Sequence, residues 1–300
     1  VNRVTRKQIE ELRNQLYQVR LRSERRYKRL LVRLFNKMEE AVQGLEKPDE
    51  IIAALRRVSG TRLYIETAHE AARQMATMMA AGQRATWRLA AKESGQGRRI
   101  YQALLKETQS PVIGQAINEI ITQNSWLIRT VPHDIANEFS HLAQKRWTEG
   151  VRPDEITLEM QARATHLKEF EARRIARTES AKASSTLVQA RSEALNLNFY
   201  IWRTARDGDR VRHSHQIMEG VICRWSDAPN PEALAGEKSH GAYHPGGIYN
   251  CRCIALPILA LEDISFPCKV HKGGTIHRVG SLKEFRSLFG IGEPSIGAAY

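Results

Sequence analysis

Cysteine is scarce in this chain, with four in 300 residues, too few for a disulfide framework. Long apolar runs are missing as well. The longest, residues 75–81 and 254–261, are interrupted by Thr77 and Pro257 and fall far short of the roughly 20 residues that cross a bilayer, so no membrane span is expected. The opening Val1-Asn2-Arg3-Val4 leads into charged sequence without the apolar core of a secretory signal, and the chain reads as soluble. No glycine-rich phosphate loop, His-Glu-x-x-His pair or Gly-x-Ser-x-Gly elbow occurs, which removes the best-marked nucleotide, metalloprotease and serine-hydrolase classes. Acid is in deficit: 33 Asp and Glu against 46 Lys and Arg leave a formal charge of +13. Such a balance favours polyanionic partners. It says nothing of fold.

What is present begins with a basic leader. Residues 1–33 hold eleven Lys and Arg against three Glu. Ile9, Leu12, Leu16 and Val19, then Leu30, Leu34 and Met38, recur at three- and four-residue steps, so the stretch predicts one long helix with an apolar seam suited to a partner helix. Arg22, Arg25, Arg29 and Arg33 step by three, four and four and line one face. Backbone phosphates of double-stranded DNA bind such a face without sequence preference. A solvated face, or one meeting an acidic protein, is the plainer alternative.

The remaining first half reads as helices. Gly44 ends the first, and Lys47-Pro48-Asp49 starts the next with acids in its first turn. Ala- and Met-rich sequence continues over 51–58 and 63–89. Further helices are expected at 100–108, 112–124, 132–148, 154–160 and 167–194, the Val131-Pro132 step separating two of them. The character changes near Asn196: an aromatic strand at 199–204, a turn at Asp207-Gly208-Asp209, then Gly, Pro, His and Asp up to a short strand at 252–258. The two strands are expected to pair antiparallel. The expected fold is thus a mainly α N-terminal region of long helices followed by a small α+β domain with a short antiparallel sheet and a Cys/His-rich loop region. The expected division is 1–150 helical, 151–195 connecting helices, 196–261 the small α+β domain and 262–300 a C-terminal extension with a weak helix at 282–288.

Chemistry concentrates in that small domain. His213, His215, Cys223, His240, His244, Cys251 and Cys253 cluster within about forty residues. Cys251 and Cys253 are two apart, so on a strand they share a face. Loops carrying His215 and His244 could close over it, and thiolate with imidazole suits Zn²⁺ at a structural site. Against this stands Cys-x-Cys in place of the commoner Cys-x-x-Cys, and the plainer reading of buried thiols and hydrogen-bonded imidazoles. Arg177, Glu179, Asp209 and Arg212 form a candidate structural ion network, since Arg–carboxylate forks hold loops in register without a reaction. Cys268-x-x-His271, with His277, is a weaker signal and reads as a free thiol in a tail.

Several strings taken together resemble the Mu F-like minor head proteins of tailed bacteriophages: "ARTESAKA" from Ala176, "YIWRTARDGDRVRHSH" from Tyr200, "MEG" from Met218, "YHPGG" from Tyr243 and "NCRC" from Asn250. The resemblance covers about 170–258. It implies a low-copy head morphogenesis protein that associates with the portal protein, with other head proteins such as the major capsid or scaffold protein, and with packaged DNA. It also implies placement in the virion near the portal after assembly in the host cytoplasm, and a part in genome delivery. His215, His244, Cys251 and Cys253 fall on the family's His and Cys positions, Asp209 and Arg212 on its Asp and Arg; Cys223, His240 and Cys268 match none. The leading expectation is a non-enzymatic virion protein. Its rivals are a zinc-dependent nucleic-acid enzyme with Asp209 or Glu179 as base and a non-specific DNA-binding protein of the host.

Overall fold

The computed structural model describes residues 6–93, 97–206 and 210–292. Among the described residues six α-helices come first: α1 Arg6–Val42, α2 Pro48–Gly60, α3 Arg62–Glu93, α4 Gly97–Leu105, α5 Pro111–Thr148 and α6 Pro153–Ala194. A mixed sheet and three short helices follow: β1 Phe199–Arg203, α7 His213–Ile217, β2 Val221–Arg224, α8 Pro231–Leu234, β3 Ile254–Pro257, β4 Cys268–Lys272, β5 Thr275–Val279 and α9 Leu282–Phe289. The expected class, long helices before a small α+β part, is what the chain adopts. Among the described residues no helix is long and apolar enough to cross a membrane.

The chain divides into two compact units. One combines residues 1–18, 83–113 and 184–300; the other combines 19–82 and 114–183. The long helices run from one unit into the other, so the units interleave in sequence.

The second unit is all helical. Its core is made by Tyr27, Leu31, Phe35 and Met38 of α1, Ile51 and Leu55 of α2, Tyr64, Met75 and Met79 of α3, Ile128 and Phe139 of α5, and Ile156 and Met160 of α6. Gly82 of α3 is required by close approach: a Cβ there would stand 2.7 Å from Val19 Cγ1. The expected break at Val131-Pro132 does not occur, and α5 runs through Pro132. Proline removes the amide that would bond the carbonyl four residues back. Here that carbonyl, of Ile128, accepts instead from the buried Tyr64 hydroxyl at 3.3 Å, which replaces the lost partner.

The first unit holds the sheet, ordered β3-β1-β2-β4-β5. β1 pairs antiparallel with β2 and with β3, β4 with β5, while β2 and β4 run parallel. The anticipated pairing of the two strands near 200 and 255 is therefore present, Trp202 lying opposite Ala255. Alternation sets the faces. Tyr200 and Trp202 join Leu16, Trp87, Ile100, Leu104 and Val188 in one core, and Phe199 joins Ile222, Val270, Val279 and Phe285 in another. Residues 262–300, read as an extension, supply two strands of the sheet and the fully buried Phe285. Cys268 accordingly lies on β4, not in a tail.

Much of the described part of the α1 apolar seam packs within the chain. Leu12 and Leu16 pack in the first unit's core, and from residue 19 onward the buried line runs Arg20, Ser23, Tyr27, Leu31, Leu34 and Met38. Deeper in the first unit, the fully buried Arg191 donates to Glu107 Oε1 at 2.6 and 3.0 Å and to Gln83 Oε1. Pairing of this kind makes a buried guanidinium tolerable.

Candidate metal centre

The site lies where the core around Trp202 meets the loops between β1 and β3. His215 sits in α7 and is 2% exposed; Cys251 and Cys253, at 2% and 3%, lie in the segment leading into β3. Two residues apart on that segment, the thiols turn to the same side. His215 Nδ1 stands 3.4 Å from Cys253 Sγ and 3.7 Å from Cys251 Sγ. A tetrahedral Zn²⁺ with bonds of about 2.0 Å to nitrogen and 2.3 Å to sulfur would hold N and S roughly 3.6 Å apart. The two nitrogen–sulfur spacings match that edge, and the three residues form a buried group able to hold a metal ion.

The surroundings favour the ligating form. The Cys251 thiol is held well below the ordinary thiol range, chiefly by its hydrogen bond with Cys253 and further by His215, against the opposing effect of burial. The Gly246 amide donates to Cys251 Sγ at 3.4 Å. Gly246 has φ +87°, a conformation that costs glycine nothing and other residues strain, which accounts for glycine in the His-Pro-Gly-Gly turn. On the far side of the imidazole, Nε2 lies 2.9 Å from the Tyr243 hydroxyl, and that hydroxyl donates to Glu232 Oε1 at 2.6 Å. A metal on Nδ1 would put the ring's proton on Nε2, where the Tyr243 hydroxyl stands to accept it. A ligating histidine is commonly fixed by such a second partner. Glu232 is 2% exposed, and α8, capped by the Asn230 side chain on the Ala233 amide, sets its position.

The fourth expected ligand is elsewhere. His244 Nδ1 is 2.9 Å from the Tyr200 hydroxyl, its ring stands edge-on to Trp225, and it is not part of the metal-capable group. Burial pushes its pKa down to about 4, so it is neutral at pH 7 and accepts from Tyr200. Of the other cluster members, His213 is exposed beside Glu237, and His240 is exposed near Tyr249. Cys223 is buried on β2, its thiol pushed up to about 12 by burial.

The candidate ion network is not assembled among the described residues. Arg177 faces Glu24, Glu179 pairs with Lys182, and Arg212 donates to the Tyr249 carbonyl; Asp209 lies outside the described residues. The network that does form centres on Glu219. Its carboxylate accepts from the Thr204 amide at 2.6 Å and hydroxyl at 2.8 Å, and from Arg203 and Arg206, both of which also reach Glu10. Burial alone would raise the Glu219 carboxyl, but Thr204 and Arg206 outweigh it and hold it below its ordinary value.

Sequence reading missed Tyr243 and Glu232. Tyr243 stands beside His244 in the Tyr-His-Pro-Gly-Gly string, but which of the two faces His215 depends on the fold of the turn. Glu232 carried only the ordinary signal of an acid in a helix's first turn. The four arginines of the α1 stripe, Arg22, Arg25, Arg29 and Arg33, are all exposed. Their neighbours are engaged: Arg20 is buried, Arg26 bonds Gln74 and Lys28 pairs with Glu169.

Comparison with known proteins bears on the same region. Residues 140–256 match the family described as Phage Mu protein F like protein. An uncharacterized protein of Haemophilus influenzae is 28% identical over 150 residues, half of this chain and 31% of that protein. The chain thus spans about a third of that relative's length. No solved structure matches.

Proposed function

We propose that this chain, whose residues 140–256 match the Phage Mu protein F like family, is a minor head protein of a tailed phage, present in few copies in the virion. In this reading it associates with the portal and other head proteins, contacts packaged double-stranded DNA, and serves procapsid assembly and genome delivery without catalysing a reaction. The observation that carries the reading is the family match, and it extends over the whole candidate metal centre. The exposed arginines at 22, 25, 29 and 33 supply the DNA contact. They are spaced to follow a phosphate backbone and read no bases.

The metal centre is structural in this proposal: Zn²⁺ held by His215, Cys251 and Cys253 ties α7 to the segment before β3. A thin, loop-rich region gains much from such a tie. The rival reading of a zinc-dependent nucleic-acid enzyme is favoured by one observation, that three protein ligands are the usual complement of a catalytic zinc. Of its two candidate bases, Glu179 is occupied by Lys182.

Heads assembled with and without the chain test the first reading. Its presence in purified virions at few copies, and heads that fail to assemble or to deliver DNA when it is missing, are the expected results. Normal infectious heads without it would reject the reading. Incubating DNA and RNA with the zinc-loaded protein and with His215→Ala separates the rival: cleavage that the substitution abolishes makes the protein an enzyme.

A further inference from the structure

A small cavity of about 110 Å³ lies directly against the candidate metal centre. All three metal-capable residues line it, and so do Arg210, Arg212 and Arg252. Its described lining contains no carboxylate. Arg212 is held in place by its Nη2 bond to the Tyr249 carbonyl at 3.0 Å and by the Tyr249 ring, 4.6 Å from its guanidinium carbon. Its Nη1 is shielded from solvent and has no hydrogen-bond partner among the described residues. Arg252 is tied to the Arg210 carbonyl at 3.0 Å. This places arginine residues from two chain segments around one small space.

The charge balance says what that space takes. A divalent metal bound by two thiolates and a neutral imidazole carries no net charge, so among the described lining residues the arginines set the local potential. Guanidinium forks match the oxygens of phosphate-like anions, and a buried donor without a partner costs free energy that such an anion relieves. A metal with three protein ligands has a further position to fill.

We propose that the cavity is an oxyanion site that takes a phosphate group, with Arg212 and Arg210 donating to its oxygens and the metal's remaining position accepting one of them. The last contact rests on the metal reading above; the arginine contacts do not. The phosphate could be free or the terminal group of a nucleic-acid strand, since the cavity is too small for a duplex.

The test uses the full chain without a histidine tag. Metal content is measured first, and the protein is then loaded with Co²⁺. Inorganic phosphate, a 5′-phosphorylated oligonucleotide and the same oligonucleotide ending in a 5′-hydroxyl are titrated in turn. The cobalt absorption spectrum and the heat of binding are both read. Phosphate is expected to shift the spectrum and release heat, and Arg212→Gln and the exposed Arg210→Gln are each expected to weaken binding by roughly 10–100-fold. A response to the phosphorylated strand and none to its hydroxyl counterpart assigns the site to strand ends; a response to inorganic phosphate alone assigns it to the free anion. If the chain takes up no metal, the metal reading and the metal contact fail together, while phosphate heat lost in Arg210→Gln still upholds the arginine site. Absence of phosphate binding to both metal-loaded and metal-free protein at low salt, or binding by both variants as tight as by wild type, overturns the proposal.

Discussion

The Tyr243 hydroxyl stands 2.9 Å from His215 Nε2, on the opposite side of the imidazole from the two thiols. It donates its own hydrogen bond to the buried Glu232, so it holds the ring from behind and can accept from Nε2 when Nδ1 is the ligating nitrogen. Tyr243→Phe removes that partner and keeps the ring's packing against Trp202. The expected result is a protein that folds and still binds zinc, with affinity lower by about 10–100-fold. Competition with a chromophoric chelator measures this, and unchanged affinity would show that Tyr243 does not orient the ligand.

The ligand set makes a sharper prediction. Cys253→Ser and His215→Ala are expected to reduce zinc, measured by elemental analysis, from about one per chain to well under half. His244→Gln is expected to leave it unchanged, because His244 is bonded to Tyr200 outside the group. Loss of metal in His244→Gln alone would restore His244 as a ligand. The ligand variants are expected to be less stable, because the metal's binding energy is available only to the folded site.

In the helical unit, Tyr64 and Pro132 act as a pair. The Tyr64 hydroxyl serves the Ile128 carbonyl whose helical donor Pro132 lacks. Tyr64→Phe leaves that buried carbonyl without the hydroxyl and is expected to cost about 1–3 kcal/mol in urea unfolding. Combining it with Pro132→Ala, which restores an amide at that position, is expected to recover part of the loss. If the two substitutions simply add, the hydroxyl is not standing in for the missing amide.

These same residues show where sequence reading stopped. Helix periodicity, the paired strands near 200 and 255, and two thiols two residues apart are local patterns, and the fold carries them. Pro132 was read as a break because its remedy lies at Tyr64, on another helix and far away in sequence. His244 reads as a ligand because its loop could close over the two thiols; only the turn geometry puts Tyr243, not His244, beside His215. The sequence points to an ion network of Arg177, Glu179, Asp209 and Arg212, but Glu219 binds Arg203 and Arg206 because it folds back onto the Thr204 amide. The strands near 270 and 277 are short, and their place in the sheet depends on a parallel pairing with β2 that no local pattern announces.

Acid should weaken the sheet-bearing unit through His244. Its ring is neutral and accepts from Tyr200, and burial among Tyr200 and Trp225 pushes its pKa from 6.5 to about 4. Between those values the unfolded chain binds a proton that the folded chain does not, so stability rises with pH across this window. The contribution is complete above pH 6.5 and is lost as pH falls toward 4, to a total on the order of 3 kcal/mol. Glu219 acts in the same direction, because its lowered carboxyl stabilises the fold above its unfolded pKa and ceases to do so as it protonates. Urea unfolding of wild type and His244→Gln at pH 7, 5.5 and 4.5 isolates the histidine, since the centre's own proton uptake is common to both. The gap between wild-type stability at pH 7 and at 4.5 is expected to shrink in the variant. An identical acid limb in the two proteins would mean that His244 is already as free to protonate in the folded chain as in the unfolded one.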